Sequence, residues 1–311
     1  MEEKTRNNLI KAFTQVIPEA NILKDEKLSK RTTFKTGGPA SLFVIADDEE
    51  ALKTVLLACD EMKVKHFLIG NGSNLLAKDE GFDGVIIKLG SGFSKLSVVD
   101  EINEGTGLIT AGAGVMLTQL SLYALKKGFT GLEFAHGIPG TVGGAVFMNA
   151  GAYGGEISHS IVRVRAMRED GIIVTYGHDD LMMGYRHSRF SDSKEIILDA
   201  DFRLKVFPRI QVRALMEVYK KARMDKQPLD KPSAGSTFKR PEGNFAGALI
   251  EKAGLKGFKI GGAAVSEKHA GFIINDGNAT STDILKLADY VTEKVKEMSG
   301  ITLEKEIRLI D

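Results

Sequence analysis

Residues 137–156 read GIPGTVGGAVFMNAGAYGGE, with seven glycines and three alanines in twenty positions. No other stretch limits the fold so strongly. Inside a regular helix or strand each glycine costs roughly 0.5–1 kcal/mol relative to alanine, so this density is expected to interrupt ordinary secondary structure. What the run permits is close approach: backbone amides can meet a phosphate, or a flat ring can lie against the chain. The plainer reading is a long surface loop, but loops of this length are uncommon unless functional or disordered. Ile138, Val142, Val146, Phe147 and Met148 make the run too apolar for disorder. The segment is expected to hold a cofactor.

Apolar periodicity places the remaining elements. Helices are expected at 6–17, 48–63, 117–127, 208–223, 246–253 and 282–298. Strands are expected at 41–46, 66–70, 85–89, 161–167, 172–176 and 196–206, with a hairpin at 96–113, a β-rich patch at 260–275 and a final strand at 302–310. This mixed order predicts an α+β chain rather than regular βαβ winding. At 311 residues there is room for about two domains. The expected division is an N-terminal helical segment at 1–32, a nucleotide- or flavin-binding body at 33–205, and a smaller C-terminal domain at 206–311.

Composition narrows the partners. A net charge of +1 gives no basic excess for nucleic acid, so an anionic ligand must be met by local groups. The single cysteine, Cys59, excludes an internal disulfide framework and suits a reducing compartment. The polar N-terminal stretch has no apolar signal region, and no run of about eighteen apolar residues offers a membrane span. A cytoplasmic protein is expected. His66, His136, His159, His178, His187 and His269 show no metal-ligand spacing, and no metal is expected.

Several smaller constellations carry chemistry. Gly70, Asn71, Gly72, Ser73, Asn74 and Leu75 follow a predicted strand, as a phosphate cradle would. Leu75 stands where a dinucleotide fingerprint needs its third glycine, and an ordinary turn explains the loop equally well. Paired with 137–156, it suggests two loops holding one extended cofactor. Thr36, Gly37 and Gly38 form a third small-residue loop, which a turn before a strand also explains. Arg186, in GYRHSRF, offers a guanidinium fork to a carboxylate or phosphate, or is an exposed loop arginine. Ser236 lies among small residues in SAGSTFKRP; without a GxSxG elbow it is no hydrolase nucleophile, and capping is its plain alternative. Lys226 and Lys231 precede it and are either phosphate ligands or solvated lysines. Alternation in the last strand puts Glu304, Glu306 and Arg308 on one face, as a surface ion pair or as the wall of a cleft.

GNGSNLL, HGIPGTVGGAVFMNAGAYGGE, GYRHS, AGSTFKRP and LEKEIR occur in this order. Together they resemble the UDP-N-acetylenolpyruvoylglucosamine reductase family over about residues 33–308. The resemblance implies an FAD-binding domain of the vanillyl-alcohol-oxidase type, built from two α/β subdomains, and a C-terminal substrate domain. It implies FAD contacts at Thr36, Gly37, Gly38, Gly70, Asn71, Gly72, Ser73, Asn74 and Leu75. It continues them at Gly137, Ile138, Pro139, Gly140, Thr141, Gly143, Gly144, Ala145, Asn149 and Gly151.

The family's catalytic positions match Arg186, Ser236 and Glu306. The resemblance implies that NADPH reduces the flavin and that hydride then passes to the methylene of UDP-N-acetylglucosamine enolpyruvate. Arg186 and Glu306 would steady the charge that develops on the carboxylate side, Glu306 carrying a proton to do so. Ser236 would protonate the adjacent carbon. Tyr185, Lys226, Arg240, His269 and Arg308 match positions around the substrate, Lys226 toward the UDP pyrophosphate. Residues 203–226 are too few for the substrate-covering tyrosine loop of one branch, so the chain resembles the branch lacking it. Two other readings keep the glycine-rich loops: an FAD-dependent oxidase of the same fold acting on an alcohol, and a non-catalytic nucleotide-binding module. Neither requires Arg186, Ser236 and Glu306 together.

Overall fold

Asp48 opens the helix Glu49–Glu61: its carboxylate accepts a hydrogen bond from the Ala51 amide at 2.8 Å, and Glu49 and Glu50 fill the first turn. Leu52, Val55, Leu56 and Cys59 recur at helical spacing and are buried. Burial pushes the Cys59 thiol up to about 12, making it an inert core group. Leu9 and Phe13 of the helix Glu3–Phe13 join this core, as do Leu42 and Val44 of the strand Pro39–Ala46 and Val85 and Ile87 of the strand Phe82–Leu89. Val85 lies opposite His66 in parallel pairing with the strand His66–Ile69.

The computed structural model describes residues 1–103 and 105–311, with the backbone alone at 100–103. A second core forms on an antiparallel sheet. Its strands run in the order Ile173–Gly177, Ile161–Met167, Ile196–Val206, Thr106–Gly112, Leu96–Asn103, with Phe129–Thr130 pairing the end of Ile196–Val206. Val164, Ala200 and Ala111 stand in register across three strands and are fully buried. The helices Leu117–Lys127 and Val142–Phe147 contribute Leu120, Ala124, Val142 and Val146 to the same core. The hairpin expected at 96–113 is present as Leu96–Asn103 and Thr106–Gly112; Glu104, between them in sequence, lies outside the described residues.

A third core centres on the helix Ser281–Ser299, opened by Thr280, whose hydroxyl accepts from the Asp283 amide at 3.0 Å. Ile284, Leu287, Ala288, Val291 and Val295 are fully buried along it, each contributing about 1.5–3 kcal/mol where the side chain is large. They pack with the short antiparallel strands Lys259–Ile260, Ala263–Val265 and Ile273–Asn275.

The chain divides differently from the three consecutive segments expected. One compact unit comprises Met1–Lys24, Leu42–Gly70 and Gly84–Arg223; the other comprises Asp25–Ser41, Asn71–Asp83 and Met224–Asp311. The first two cores belong to the first unit and the third to the second. The reason is pairing between sequence-distant strands. Leu75–Ala77 lies parallel to Arg308–Ile310, which ties an early loop to the C-terminus.

Two further expectations need correction. The glycine-rich run does hold a helix, Val142–Phe147, because Thr141 caps it and Val142, Ala145 and Val146 are buried. The final strand is only Arg308–Ile310. Lys305 makes an isolated bridge to Phe238, and a bend at Ile307 separates it from the strand, while Leu303 and Ile307 are buried and Leu309 packs against the same core.

Candidate functional site

In the first unit the glycine-rich segment lies against the end of the first loop. A Cβ built on Gly70 would sit 2.7 Å from the Thr141 hydroxyl oxygen, so no side chain fits there. The same hydroxyl accepts a hydrogen bond from the Gly144 amide at 3.3 Å. At Gly144 itself a Cβ would meet nothing nearer than that oxygen at 3.6 Å, and the residue is exposed. Gly137, Pro139 and Gly144 are exposed, and Ile138, Gly140, Gly143 and Gly151 half-buried, while Thr141 and Ala145 are buried. The run therefore presents open backbone on a fixed support.

Beyond the short helix, Asn149 ties the segment to the GYRH turn. Its amide nitrogen donates to Glu156 Oε1 at 3.1 Å and to the Gly184 carbonyl at 2.9 Å, and its oxygen accepts from the Ser158 amide at 3.0 Å. With 1% of its surface exposed, the Asn149 side chain positions its neighbours. Burial works against ionisation of Glu156, but hydrogen bonds from Ser158 and Asn149 and the charges of His159 and Arg186 hold its carboxyl below the usual range. The turn closes with paired hydrogen bonds between Gly184 and His187. Arg186 sits on it with φ +55°, a conformation an arginine keeps only when its surroundings impose it. Its Nη2 reaches toward the Gly151 carbonyl at 3.5 Å, and its guanidinium carbon is 5.1 Å from the ring centre of exposed Tyr185.

The second unit gathers the other candidates. The carbonyl and hydroxyl of Thr237 are both engaged: the Glu306 amide donates to the carbonyl at 2.8 Å, and the Ile273 amide to the hydroxyl at 3.0 Å. Lys239 N donates to the Glu304 carbonyl at 2.8 Å, so the residues after Ser236 run alongside those before Glu306. Ser236 is half-buried at the head of this pairing. Asn74 joins from the other side, its amide nitrogen donating to the Glu306 carbonyl at 3.2 Å and its carbonyl accepting from the Arg308 amide at 2.9 Å. Leu75 stands opposite Arg308 in the parallel pair. Burial lowers the proton affinity of the half-buried Arg308.

Upstream, the Gly72 carbonyl accepts from the Thr33 amide at 3.1 Å, which holds the turn containing Asn71, Gly72 and Ser73. His269 is half-buried; burial depresses its basicity, and its Nδ1 accepts from the Gly271 amide at 3.1 Å. Arg240 lies over the Phe245 ring at 4.0 Å. Lys226 is exposed at the end of the helix Arg209–Lys226.

Thr36, Gly37 and Gly38 line a cleft of about 850 Å³ with Lys27, Lys35 and the loop Asn275–Thr280. Thr36 is 3% exposed, and its hydroxyl has no hydrogen-bond partner among the described residues. Lys231 also borders this cleft, but its ammonium pairs with Asp276 at 2.9 Å. Together with Lys259 it holds that carboxyl at about 2. Its charge is therefore committed within the protein.

The open backbone beside Gly144 in the first unit has the chemistry to meet a phosphate-bearing cofactor such as FAD. In the second unit, taken by itself, the small-residue loop of Thr36 to Gly38 carries an orphaned threonine hydroxyl. Sequence reasoning missed Thr237, whose hydroxyl holds the strand Ile273–Asn275 and whose carbonyl holds the segment of Glu306. Its only signal was a position between Ser236 and the apolar Phe238.

Known proteins resemble this chain along most of its length. Residues 40–177 match the model of an FAD-binding domain, and residues 227–310 match the C-terminal domain of UDP-N-acetylenolpyruvoylglucosamine reductase. A protein of that name from Agathobacter rectalis is 44% identical over 309 residues, covering 97% of this chain and 98% of its own length. One from Clostridium botulinum is 45% identical and covers 96% of both. Among solved structures, the UDP-N-acetylenolpyruvylglucosamine reductase of Thermus caldophilus superimposes with a TM-score of 0.78 at 34% identity, covering 93% of this chain and 98% of the other. With relatives this similar along nearly its whole length, the chain belongs to the UDP-N-acetylenolpyruvoylglucosamine reductase family.

Proposed function

We propose that this protein uses NADPH and bound FAD to reduce the enolpyruvyl group of UDP-N-acetylglucosamine enolpyruvate, giving UDP-N-acetylmuramate for peptidoglycan synthesis. The observation that carries the reading is the pairing of the Ser236 and Glu306 segments through Thr237, with the Glu306 amide 2.8 Å from the Thr237 carbonyl. A proton donor and an acid are thereby held on adjacent backbone. FAD, when bound, supplies the hydride that NADPH provides and the enolpyruvyl methylene accepts. The glycine-rich run at 137–151, Gly70 to Leu75, and Thr36 to Gly38 are the residues that would hold it.

The rest of the chemistry belongs to side chains. Once the methylene carbon gains hydride, the electron pair of the double bond moves toward the adjacent carbon and its carboxylate. Arg186, with two parallel N–H groups, and Glu306, protonated, meet that carboxylate. The Ser236 hydroxyl gives its proton to the adjacent carbon and later recovers one from solvent. A serine is a weak acid, but a carbanion is basic enough to take its proton, so placement matters more than acidity. Tyr185, Lys226, Arg240, His269 and Arg308 position the substrate, Lys226 at its pyrophosphate. The helix Arg209–Lys226 fills the stretch where the other branch carries its tyrosine loop, which supports the loop-lacking branch.

An anaerobic visible spectrum tests the reading. NADPH is expected to bleach the flavin, and the UDP-sugar to restore the yellow form; bleaching without restoration removes the substrate from the proposal. Ser236→Ala is expected to leave bleaching by NADPH nearly intact while slowing restoration at least about a hundredfold, the usual scale of a proton-transfer contribution. If both half-reactions slow together, the role given to Ser236 is wrong. Arg186→Lys is expected to slow restoration severely, because an ammonium makes no bidentate contact. Wild-type restoration in that variant removes Arg186 from the mechanism.

A further inference from the structure

A charged side chain that must meet its target in one orientation needs both of its ends held. In the first unit one hairpin supplies a hold for each end of Arg186. Gly151–Ala152 pairs antiparallel with Gly155–Glu156, and Tyr153 at φ +53° and Gly154 at φ +84° make the turn between them. Glu156 stands directly opposite Gly151. A Cβ built on Gly151 would lie 2.9 Å from the Glu156 Cβ, so the glutamate leaves room only for glycine there. The Gly151 carbonyl is the group toward which Arg186 Nη2 reaches at 3.5 Å.

The backbone end of Arg186 is held through Asn149. Both amide hydrogens of that side chain are committed, one to Glu156 Oε1 at 3.1 Å and one to the Gly184 carbonyl at 2.9 Å. Gly184 closes the turn that carries Arg186, by paired bonds with His187. Beyond the turn, the fully buried Ser188 donates to the Phe147 carbonyl at 2.7 Å. These anchors lie two residues to either side of Arg186 and account for its left-handed backbone. Glu156 is the ionised end of the relay. Burial opposes its charge, but hydrogen bonds from Ser158 and Asn149, then the charges of His159 and Arg186, outweigh that opposition. A glutamate that merely finished a hairpin would turn its carboxylate to water. This one spends Oε1 on Asn149 and Ser158.

We propose that Glu156 and Asn149 are positioning residues for Arg186, fixing the plane of its guanidinium for the substrate carboxylate. The inference rests on the function proposed above, which gives Arg186 that carboxylate. It adds two residues that act through Arg186 and not on the reacting atoms. The family resemblance puts Asn149 at the FAD; with both amide hydrogens spent and 1% of the residue exposed, its side chain serves the turn instead.

The test uses the full-length holoprotein and three readings. These are bleaching by NADPH, restoration by saturating UDP-sugar, and calorimetric affinity for UDP-N-acetylmuramate against that for UDP, which lacks the carboxylate. Asn149→Gly removes the link while keeping a residue that adopts φ +42° without strain. It is expected to slow restoration about tenfold, a modest misplacement of the guanidinium, and to weaken UDP-N-acetylmuramate by threefold or more. Bleaching and UDP affinity are expected to stay within twofold. In an Arg186→Lys background no fork remains to be aimed, so adding Asn149→Gly is expected to slow restoration by less than a further threefold. Three outcomes overturn the proposal by making Asn149 a structural tie: restoration slowed less than threefold in the single variant, a parallel fall in bleaching and restoration, or a threefold or greater penalty beside Arg186→Lys. If Asn149→Gly does not fold, Glu156→Ala, at a half-buried position, decides by the same readings and thresholds. A wild-type holoprotein that NADPH bleaches and the UDP-sugar does not restore removes the function and this inference with it. Normal restoration in the wild type beside an unmoved variant removes the inference alone.

Discussion

Gly70 and Gly144 face the same atom and are glycines for different reasons. At Gly70 a side chain would lie 2.7 Å from the Thr141 hydroxyl, so the protein's own packing forbids one. At Gly144 the same hydroxyl is 3.6 Å from a Cβ, an ordinary contact, and the backbone lies in a helix that alanine suits better. The folded chain accounts for the first glycine and leaves the second unexplained. A glycine that the fold does not require, exposed beside a capped turn, is what a ligand pressed against the backbone needs. On the function proposed above, the difference separates a residue that builds the support from one kept open for the cofactor.

The comparison is most exposed at Gly70. Gly70→Ala is expected to destabilise the apoprotein by about 1–3 kcal/mol, the scale of overpacking, read as a lower midpoint in calorimetry. An unchanged midpoint means that Thr141 yields at no cost, and the packing argument fails. Gly144→Ala is expected to do the opposite: the apoprotein holds or gains up to about 1 kcal/mol, while FAD binds about tenfold more weakly. Unaltered FAD affinity there removes Gly144 from the cofactor seat. Thr141→Ala is expected to cost about 1 kcal/mol through the lost cap of Val142–Phe147, visible in the same calorimetry. The finest test combines the variants. In the Thr141→Ala background the Gly70→Ala penalty is expected to shrink by at least about 0.5 kcal/mol. Strict additivity would mean the clash at Gly70 is with something other than this hydroxyl.

Much of the secondary structure was legible. The helix Leu117–Lys127 and the strands Ile161–Met167 and Ile196–Val206 begin and end where periodicity puts them, because buried apolar residues run along each of them. The last strand was overextended, since alternation cannot register the bend at Ile307. The helix expected at 208–223 runs on to Lys226. Arg223 escaped notice within it because an arginine on an amphipathic helix reads as solvated; nothing in its neighbours reveals that Gly137 and Tyr153 enclose it.

By itself, the sequence determined the α+β class, the order of the elements, and a run of small residues whose backbone stays approachable. Those follow from local spacing and side-chain size. Tertiary structure alone decided that the chain passes repeatedly between two units, that Asn74 and Thr237 hold the Glu306 segment from either side, and that Arg223 is buried without a counter-charge. Each depends on contacts between residues tens to hundreds of positions apart. Hydrogen-bond pairing and desolvation act across that distance and leave no periodic mark in the chain.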